Sequence, residues 1–260
     1  DTVAAGGEST DKVAAARFCG EAVSVLAELE RWGLVLRRRE GGLPHASEAP
    51  GHSRPRLTGC GDSTAREVTR ILEEQAIKRG APRRSDLVPL SLVMDNQQVR
   101  GVVVLDLLTG EITSIQSKAV ILATEGHQGI WSAPSNGPGT GAALAAAAGV
   151  DLTGMAHSPR HPLTIRGTDM QLPFDLLDSG GRLRKENGED AGPEEVLDGE
   201  GCVLDLRSLD AAASPWFAQT SRRVRDRVGL DIATEVIPLS SSVAATTGGA
   251  PVDESGRVTF

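Results

Sequence analysis

The amino-acid sequence predicts a mixed fold of the α/β (α+β) class, and three observations support that prediction. Two stretches near the start of the chain have apolar residues at helical spacing. Three short runs rich in Val, Leu and Ile follow, separated by turn residues, as in antiparallel strands. A continuous apolar run then leads into a glycine-rich loop and an alanine-rich helix, which is the pattern of a buried strand followed by a helix.

Two amphipathic helices are predicted in the first third of the chain. The first begins after Thr10 or Asp11, whose side chains can cap it, and ends at Gly33. The second spans about residues 63–79 and ends at Gly80, with a polar loop between the two helices. We expect each helix to bury one face. The inward residues predicted from the spacing are Phe18, Ala22, Val25, Leu29 and Trp32, then Val68, Ile71, Leu72 and Ala76.

An antiparallel β-meander is predicted from the three short apolar runs. They cover residues 87–94, 98–107 and 111–117, and the turn residues Asp95-Asn96 and Thr109-Gly110 separate them. Connections as short as these join strands that lie next to each other in a sheet.

The remaining elements are predicted from local signals. The buried strand covers residues 118–124, and a helix over about residues 139–148 follows the glycine-rich loop. Residues 184–201 are acidic and rich in glycine, so they are predicted to form an exposed loop. Ser214-Pro215 has the pattern of a helix start, and that helix ends near Val228.

Composition and charge exclude several classes of protein. The net charge is -8 and nucleic-acid binding needs a basic surface, so we expect no nucleic-acid partner. The three cysteines are far apart, which favours neither a disulfide framework nor a zinc site. His157 and His161 have the spacing of helical metal ligands, but Pro159 and Pro162 prevent a regular helix, so no metal site is predicted. No apolar run approaches the ~20 residues of a membrane span, so we expect no direct membrane insertion.

Several motifs occur along the chain in a characteristic order. They are "DTVAAG", "LAELERWGL", "GHSRPR", "VRGVVVLDLLTGEI", "KAVILAT", "HP", "NGED" and "IPLSSSVAATTGGAPVDESGRV". In these motifs the chain resembles the flavoprotein subunit of succinate dehydrogenase and fumarate reductase, and its relative L-aspartate oxidase. The matches extend over roughly the whole chain and become sparse between residues 160 and 235.

The resemblance implies part of a Rossmann-like FAD-binding domain with a shortened capping domain. Residues 1–150 would form the FAD-binding domain without its N-terminal GxGxxG segment, residues 151–235 the capping domain, and residues 236–260 the return to the FAD-binding domain. The chain therefore resembles an internal fragment, because the family has further FAD segments on both sides. Since pyrophosphate binding depends on the GxGxxG turn, we expect these residues alone to hold FAD weakly or not at all.

FAD is the cofactor that the resemblance implies, and the ATGG turn of the family lies against it. In this chain the turn is formed by residues 123–126, with a glutamate as its third residue. Glycines allow the backbone to approach a ligand closely, and the next helix start offers free N–H groups. The strand around Leu92 would contact the adenine. The predicted cofactor-binding residues are Leu92, Val93, Ala123, Thr124, Glu125, Gly126, Gly139, Thr140 and Gly141.

The family transfers a hydride between flavin and a small dicarboxylate, and this chain departs from it at most catalytic positions. His161 keeps one substrate-binding histidine. The Thr-Glu pair of the family falls on Pro173 and Phe174, and a second histidine falls on Ala244. An aspartate near the flavin ring becomes Thr140, and the segment with the proton-transfer arginine is missing.

The resemblance implies an FAD-dependent oxidoreductase, and we expect this chain to be inactive on its own. Three arginines remain candidates to replace the missing proton-transfer arginine: Arg166, Arg182 and Arg207. An L-aspartate oxidase-like enzyme and a degenerate, non-catalytic paralogue are the alternatives. The expected partners are a small dicarboxylate and an iron–sulfur subunit. The expected location is cytoplasmic, peripheral at the inner face of the membrane through partner subunits.

Overall fold

The computed structural model of the chain describes residues 1–131, 137–199 and 201–258. The chain divides into two compact units, each built from separate stretches of sequence. The first unit consists of Asp1–Ala81, Pro162–Arg166 and Gln171–Ser240. The second unit consists of Pro82–His161, Gly167–Met170 and Ser241–Phe260. Each unit therefore depends on contacts between residues that are far apart in the sequence.

Helices and strands alternate irregularly along the described residues. The helices are α1 Thr2–Gly6, α2 Lys12–Arg31, α3 Thr64–Lys78, α4 Thr140–Ala147, α5 Asp175–Asp178, α6 Pro193–Leu197 and α7 Ala218–Val228. The strands are β1 Leu87–Asp95, β2 Gln98–Asp106, β3 Ile112–Gln116, β4 Arg160–Ile165, β5 Arg182–Lys185, β6 Cys202–Asp205 and β7 Ile237–Val243. Among the described helices, none has the length and apolar content needed to cross a bilayer.

Helix α2 begins and ends where the sequence predicts. The Asp11 carboxylate accepts hydrogen bonds from the backbone N–H groups of Val13 and Ala14 at 2.9 and 3.0 Å. These bonds satisfy two of the N–H groups that have no partner inside the helix. Past the other end, Gly33 adopts a φ of 109°, which favours glycine.

The buried face predicted for α2 is wrong along most of its length. Phe18 is 76% exposed and Val25 is 54% exposed, whereas Leu29 and Trp32 pack against buried core residues. Helical spacing shows which side chains share a face, but burial also needs a second surface. In the described part of the first unit, that surface reaches only the C-terminal end of α2.

Helix α3 buries a narrower stripe than the sequence predicts. Ile71 is fully buried among Leu34, Leu36 and Cys60, and Val68 packs against the same cluster. Leu72 and Ala76 are exposed, so these two predicted inward positions are wrong. They lie on the side of the helix that turns away from the cluster.

A three-stranded antiparallel sheet, in the order β1-β2-β3, forms much of the second unit. Its register pairs Leu92 with Val102, and Val102 with Ile115. Neighbouring strands approach closely at Gly101, where an added Cβ would lie 2.2 Å from the carbonyl oxygen of Ile115. Helix α4 packs against β1. The sheet therefore fixes the position of α4 in this unit.

Residues 118–124 do not form the buried strand that the sequence predicts. Ile121 is 89% exposed, and no strand pairs with this run among the described residues. A continuous apolar run is buried as a strand only where a sheet neighbour and covering helices exist on both faces. The described residues supply neither, and the run has no regular secondary structure.

A four-stranded sheet in the order β4-β7-β6-β5 follows, with β6 antiparallel to both of its neighbours. Leu163, Leu204 and Ile237 are fully buried and contribute to the core of the first unit. The exposed loop predicted at residues 184–201 is wrong in part, because it contains the end of β5 and all of α6. These elements are too short to show a period in the sequence. Helix α7 ends at Val228, as predicted.

Candidate functional site

All nine residues predicted to contact a cofactor lie in the second unit. Leu92 and Val93 belong to β1, residues 123–126 belong to the irregular segment after β3, and Gly139 to Gly141 lie at the start of α4. The backbone N–H of Gly139 donates to the carbonyl of Gly126 at 3.1 Å, so the second and third groups meet. Helix α4 packs against β1. Gly139 to Gly141, at the start of α4, are therefore on the helix that contacts the strand of Leu92 and Val93.

Backbone hydrogen bonds join the described residues on the two sides of the segment between Gly126 and Gly139. The N–H of Gly129 donates to the carbonyl of Gly137 at 2.9 Å, next to the bond between Gly126 and Gly139. Gly137 and Gly139 both adopt a φ of 78°, a conformation that other residues rarely adopt. Residues 132–136 lie outside the described part of this loop.

The glycines of this loop, which we call the glycine loop (residues 123–131 and 137–141), are required by close packing. A Cβ on Gly126 would lie 2.2 Å from Oγ1 of Thr246, and one on Gly141 would lie 2.1 Å from Oγ1 of Thr124. Thr246 also accepts a hydrogen bond from the backbone N–H of His127 at 2.8 Å. Sequence reasoning missed Thr246, because this contact joins residues more than a hundred positions apart.

The side chain of Gln128 enters the interior of the glycine loop. Its Oε1 atom is buried and has no hydrogen-bond partner. A Cβ on Gly137 would lie 2.3 Å from that oxygen, so glycine at this position makes room for the amide. A buried acceptor without a donor typically costs about 1–3 kcal/mol. Gln128 was not predicted from the sequence, where a glutamine between glycines gives no distinctive signal.

The N-terminus of α4 offers backbone donors to a ligand. Gly139 precedes the helix in a left-handed conformation, and no side chain caps the N–H groups of the first turn. The positive end of the helix dipole and free N–H groups together favour an anion such as a phosphate. Glu125 is exposed in the preceding segment. Its carboxylate repels other negative charges and therefore disfavours the binding of an anion close to it.

His161, the predicted substrate residue, is half-buried on β4 in the second unit. Burial lowers its pKa from 6.5 to about 4, so the imidazole is neutral at pH 7. A neutral imidazole binds a carboxylate by hydrogen bonding and adds no positive charge. Its neighbour Arg160 donates to Oγ of Ser241 at 2.7 Å.

The positions predicted from the resemblance to correspond to the family's other catalytic groups hold side chains without acid–base chemistry. Pro173 and Phe174 lie just before α5 in the first unit, and Ala244 lies in the second. Two of the three alternative arginines are engaged elsewhere: Arg166 donates to Glu186 at 3.0 Å, and Arg207 to Asp205 at 2.8 and 2.9 Å.

In the part of the chain that the structure describes, no three His, Cys, Asp or Glu side chains are arranged to hold a metal ion.

Comparison with known families places the chain in a class. The chain belongs to the family of the FAD binding domain, which matches residues 1–200. FAD is the cofactor of this family. The predicted resemblance to succinate dehydrogenase and fumarate reductase flavoproteins, with L-aspartate oxidase among their relatives, is confirmed.

Curated relatives give the identities in detail. The chain is 30% identical over 193 residues to the 8-methylmenaquinol:fumarate reductase flavoprotein subunit of Wolinella succinogenes, covering 73% of this chain and 32% of that protein. It is 26% identical over 302 residues to the fumarate reductase flavoprotein subunit of Escherichia coli, covering 98% of this chain and 50% of that protein. It is 28% identical over 283 residues to the L-aspartate oxidase of Mesorhizobium japonicum, covering 99% of this chain and 55% of that protein. The chain spans about half the length, or less, of these relatives.

Solved structures share the fold. The FrdA chain of an Escherichia coli quinol fumarate reductase variant matches with a TM-score of 0.78 at 22% identity, covering 88% of this chain and 47% of that one. Mycobacterium smegmatis Sdh1 in complex with UQ1 matches with a TM-score of 0.63 at 23% identity, covering 90% and 46%. The fold is therefore a mixture of helices and antiparallel sheets like that of FrdA.

Proposed function

We propose that this chain is the cofactor-contacting part of an FAD-dependent oxidoreductase of the succinate dehydrogenase and fumarate reductase type. The observation that supports this most directly is the glycine loop, which closes over the uncapped N-terminus of α4. Family membership supplies the identity of the cofactor.

The residues of the glycine loop fit FAD in two respects. The free N–H groups at the start of α4 suit the phosphates of the cofactor. The orphaned Oε1 of Gln128 suits a hydrogen-bond donor, which the ring systems of FAD possess.

The proposed domain is Rossmann-like, with the β1-β2-β3 sheet as its antiparallel meander. Residues 118–124 are apolar and have no regular secondary structure, and we propose that they pair as a strand when a neighbouring strand is supplied. The domain boundaries near residues 150 and 235 follow from the family resemblance. The proposed capping domain would lie between those boundaries.

The proposed chemistry follows from what each position can do. When bound, FAD supplies a hydride acceptor and donor. His161 would hold one carboxylate of a succinate-like substrate by a neutral hydrogen bond. Phe174 and Ala244 can neither transfer a proton nor carry charge, and removal of a positioned acid typically costs ~100-fold to 10,000-fold in rate. We therefore propose that this chain alone does not turn over substrate.

Two further candidates have specific support. Phe174 and Ala244 favour a non-catalytic paralogue that keeps the fold without the chemistry. The 28% identity to an L-aspartate oxidase over 99% of the chain favours a dicarboxylate that carries an amino group in place of succinate or fumarate. For the enzyme, the proposed partner is an iron–sulfur subunit that holds the protein at the inner face of a membrane.

Equilibrium dialysis of the chain against FAD tests the proposal. We expect weak, saturable binding that Gly126→Ala and Gly137→Ala abolish, because both substitutions place a Cβ in occupied space. Gly20→Ala is the matched control, since its Cβ would meet nothing within 4 Å. Binding that is absent at millimolar FAD, or that survives both loop substitutions, would overturn the proposal.

A further inference from the structure

Gln128 presents a buried hydrogen-bond acceptor that nothing in the described protein satisfies. Its Oε1 is enclosed by the glycine loop and has no donor partner. In native proteins such atoms are rare, and each usually indicates a missing water, ion or ligand. The atom therefore marks a position where a donor belongs.

The room around this amide is made by two glycines. A Cβ on Gly137 would lie 2.3 Å from Oε1, and one on Gly126 would lie 2.9 Å from it. Both glycines also have backbone bonds within the loop: Gly126 accepts from Gly139, and Gly137 accepts from Gly129. The backbone on both sides of the amide is thus held in place by hydrogen bonds within the loop.

We propose that Oε1 of Gln128 accepts a hydrogen bond from a ring N–H of bound FAD and so positions the cofactor. The inference rests on the proposed function, and it adds a binding residue outside the nine predicted from the sequence. Phosphate oxygens are acceptors and would be repelled by Oε1. FAD also carries hydroxyl donors on its ribityl chain and ribose, and its N–H donors are the N3–H of the isoalloxazine ring and the amino group of adenine.

The two halves of the cofactor distinguish these donors. FMN contains the isoalloxazine N3–H, and AMP contains the adenine amino group. The half that carries the bonded donor will shift the side-chain amide signal of Gln128 in ¹H–¹⁵N NMR spectra. 3-Methyl-FMN or N6,N6-dimethyl-AMP, each without its N–H, will then fail to produce that shift.

Substitution provides the second readout. Gln128→Met keeps the length of the side chain and removes the acceptor, and it also assigns the amide signal by its disappearance. We expect about tenfold weaker FAD binding, the usual effect of one lost hydrogen bond to a ligand. The melting temperature without FAD will not fall, because the substitution removes an unsatisfied buried group. Gln98→Met, at an exposed position on β2, is the matched control and will change neither quantity.

The outcomes separate this inference from the proposed function. If FAD shifts the backbone amides at the start of α4 but leaves the Gln128 side-chain signal and the affinity of Gln128→Met unchanged, the role of Gln128 is wrong and FAD binding stands. If millimolar FAD shifts neither set of signals, both are wrong. A lower melting temperature of Gln128→Met without FAD would assign the side chain a structural role and overturn the inference.

Discussion

Nε2 of His45 lies 2.8 Å from Oδ2 of Asp178, and this pair joins the loop ahead of α3 to helix α5. Oδ1 of Asp178 also accepts from the backbone N–H of Glu48 at 3.3 Å. Beside them, Arg37 donates to Oγ of Ser179 at 3.0 Å. Polar contacts between residues more than a hundred positions apart therefore hold this loop in the first unit.

Asp178→Asn will destabilise the first unit at neutral pH. Burial opposes the charge of Asp178, but the hydrogen bonds from His45 and Glu48 outweigh it, and the pKa of the carboxyl is lowered. Because the pKa of Asp178 is lower in the folded state than in the unfolded state, its ionised carboxylate stabilises the fold at any pH above the unfolded-state pKa. This stabilisation is lost as the pH falls through the folded-state pKa. We expect a loss of about 1–2 kcal/mol in the free energy of unfolding at pH 7. Urea unfolding at pH 7 and pH 3 measures it, with exposed Asp226→Asn as control.

Asp175→Asn will have the opposite effect, although it lies one helical turn from Asp178. Asp175 is 7% exposed and one carboxyl oxygen has no partner, so burial raises its pKa despite a hydrogen bond from Ser47. A raised folded pKa means that ionisation at neutral pH weakens folding. We expect a gain of about 1 kcal/mol at pH 7 that disappears below the ordinary pKa of 3.8. Destabilisation at pH 7 would contradict this and show that Arg37 stabilises an ionised Asp175.

Arg207→Met will remove two of the hydrogen bonds that stabilise the buried carboxylate of Asp205. Two hydrogen bonds from the Arg207 guanidinium lower the pKa of Asp205 to about 2, and Arg184 lies 3.4 Å away. The stabilisation is present above the unfolded pKa and is lost as the pH falls toward 2. We expect a loss of about 1.5–3 kcal/mol at pH 7, typical of charge-assisted hydrogen bonds. Arg17→Met, which breaks the exposed pair with Glu21, should cost less than about 0.5 kcal/mol in the same urea titration.

His161 will make the fold sensitive to acid. Burial lowers its folded pKa from 6.5 to about 4, so protonation is favoured by unfolding and stability falls as the pH drops between those values. The expected loss across this interval is about 2–3 kcal/mol, and His161→Gln should remove most of it. NMR titration of the imidazole C–H signals will give a midpoint near pH 4. A midpoint near 6.5 would mean that the ring is hydrated and would contradict the prediction.

Local signals predicted the limits of elements well, and they predicted burial poorly. Asp11 and Gly33 limit α2 because capping and glycine conformation depend on neighbouring residues. The exposure of Phe18 and Ile121 depends on which other segments cover them, and the local spacing contains no information about that.

The candidate site was predicted in part for a similar reason. Gly126 and Gly139 were predicted as cofactor contacts from a resemblance, and the structure joins them by a hydrogen bond. Thr246 and Gln128 were missed, since one depends on a contact across the chain and the other on a void that only the folded loop defines. Sites formed by close backbone packing are visible in a sequence only through their glycines.

The open run at residues 118–124 has a consequence for the behaviour of the protein at high concentration. It is short, apolar, free of proline and has Lys118 as its one charge, and Ile121 is 89% exposed. Segments of this composition readily pair with identical segments of other molecules and start β-type aggregation. Concentration-dependent aggregation of the purified chain should therefore begin at residues 118–124. A second charged residue beside Lys118 should delay this aggregation.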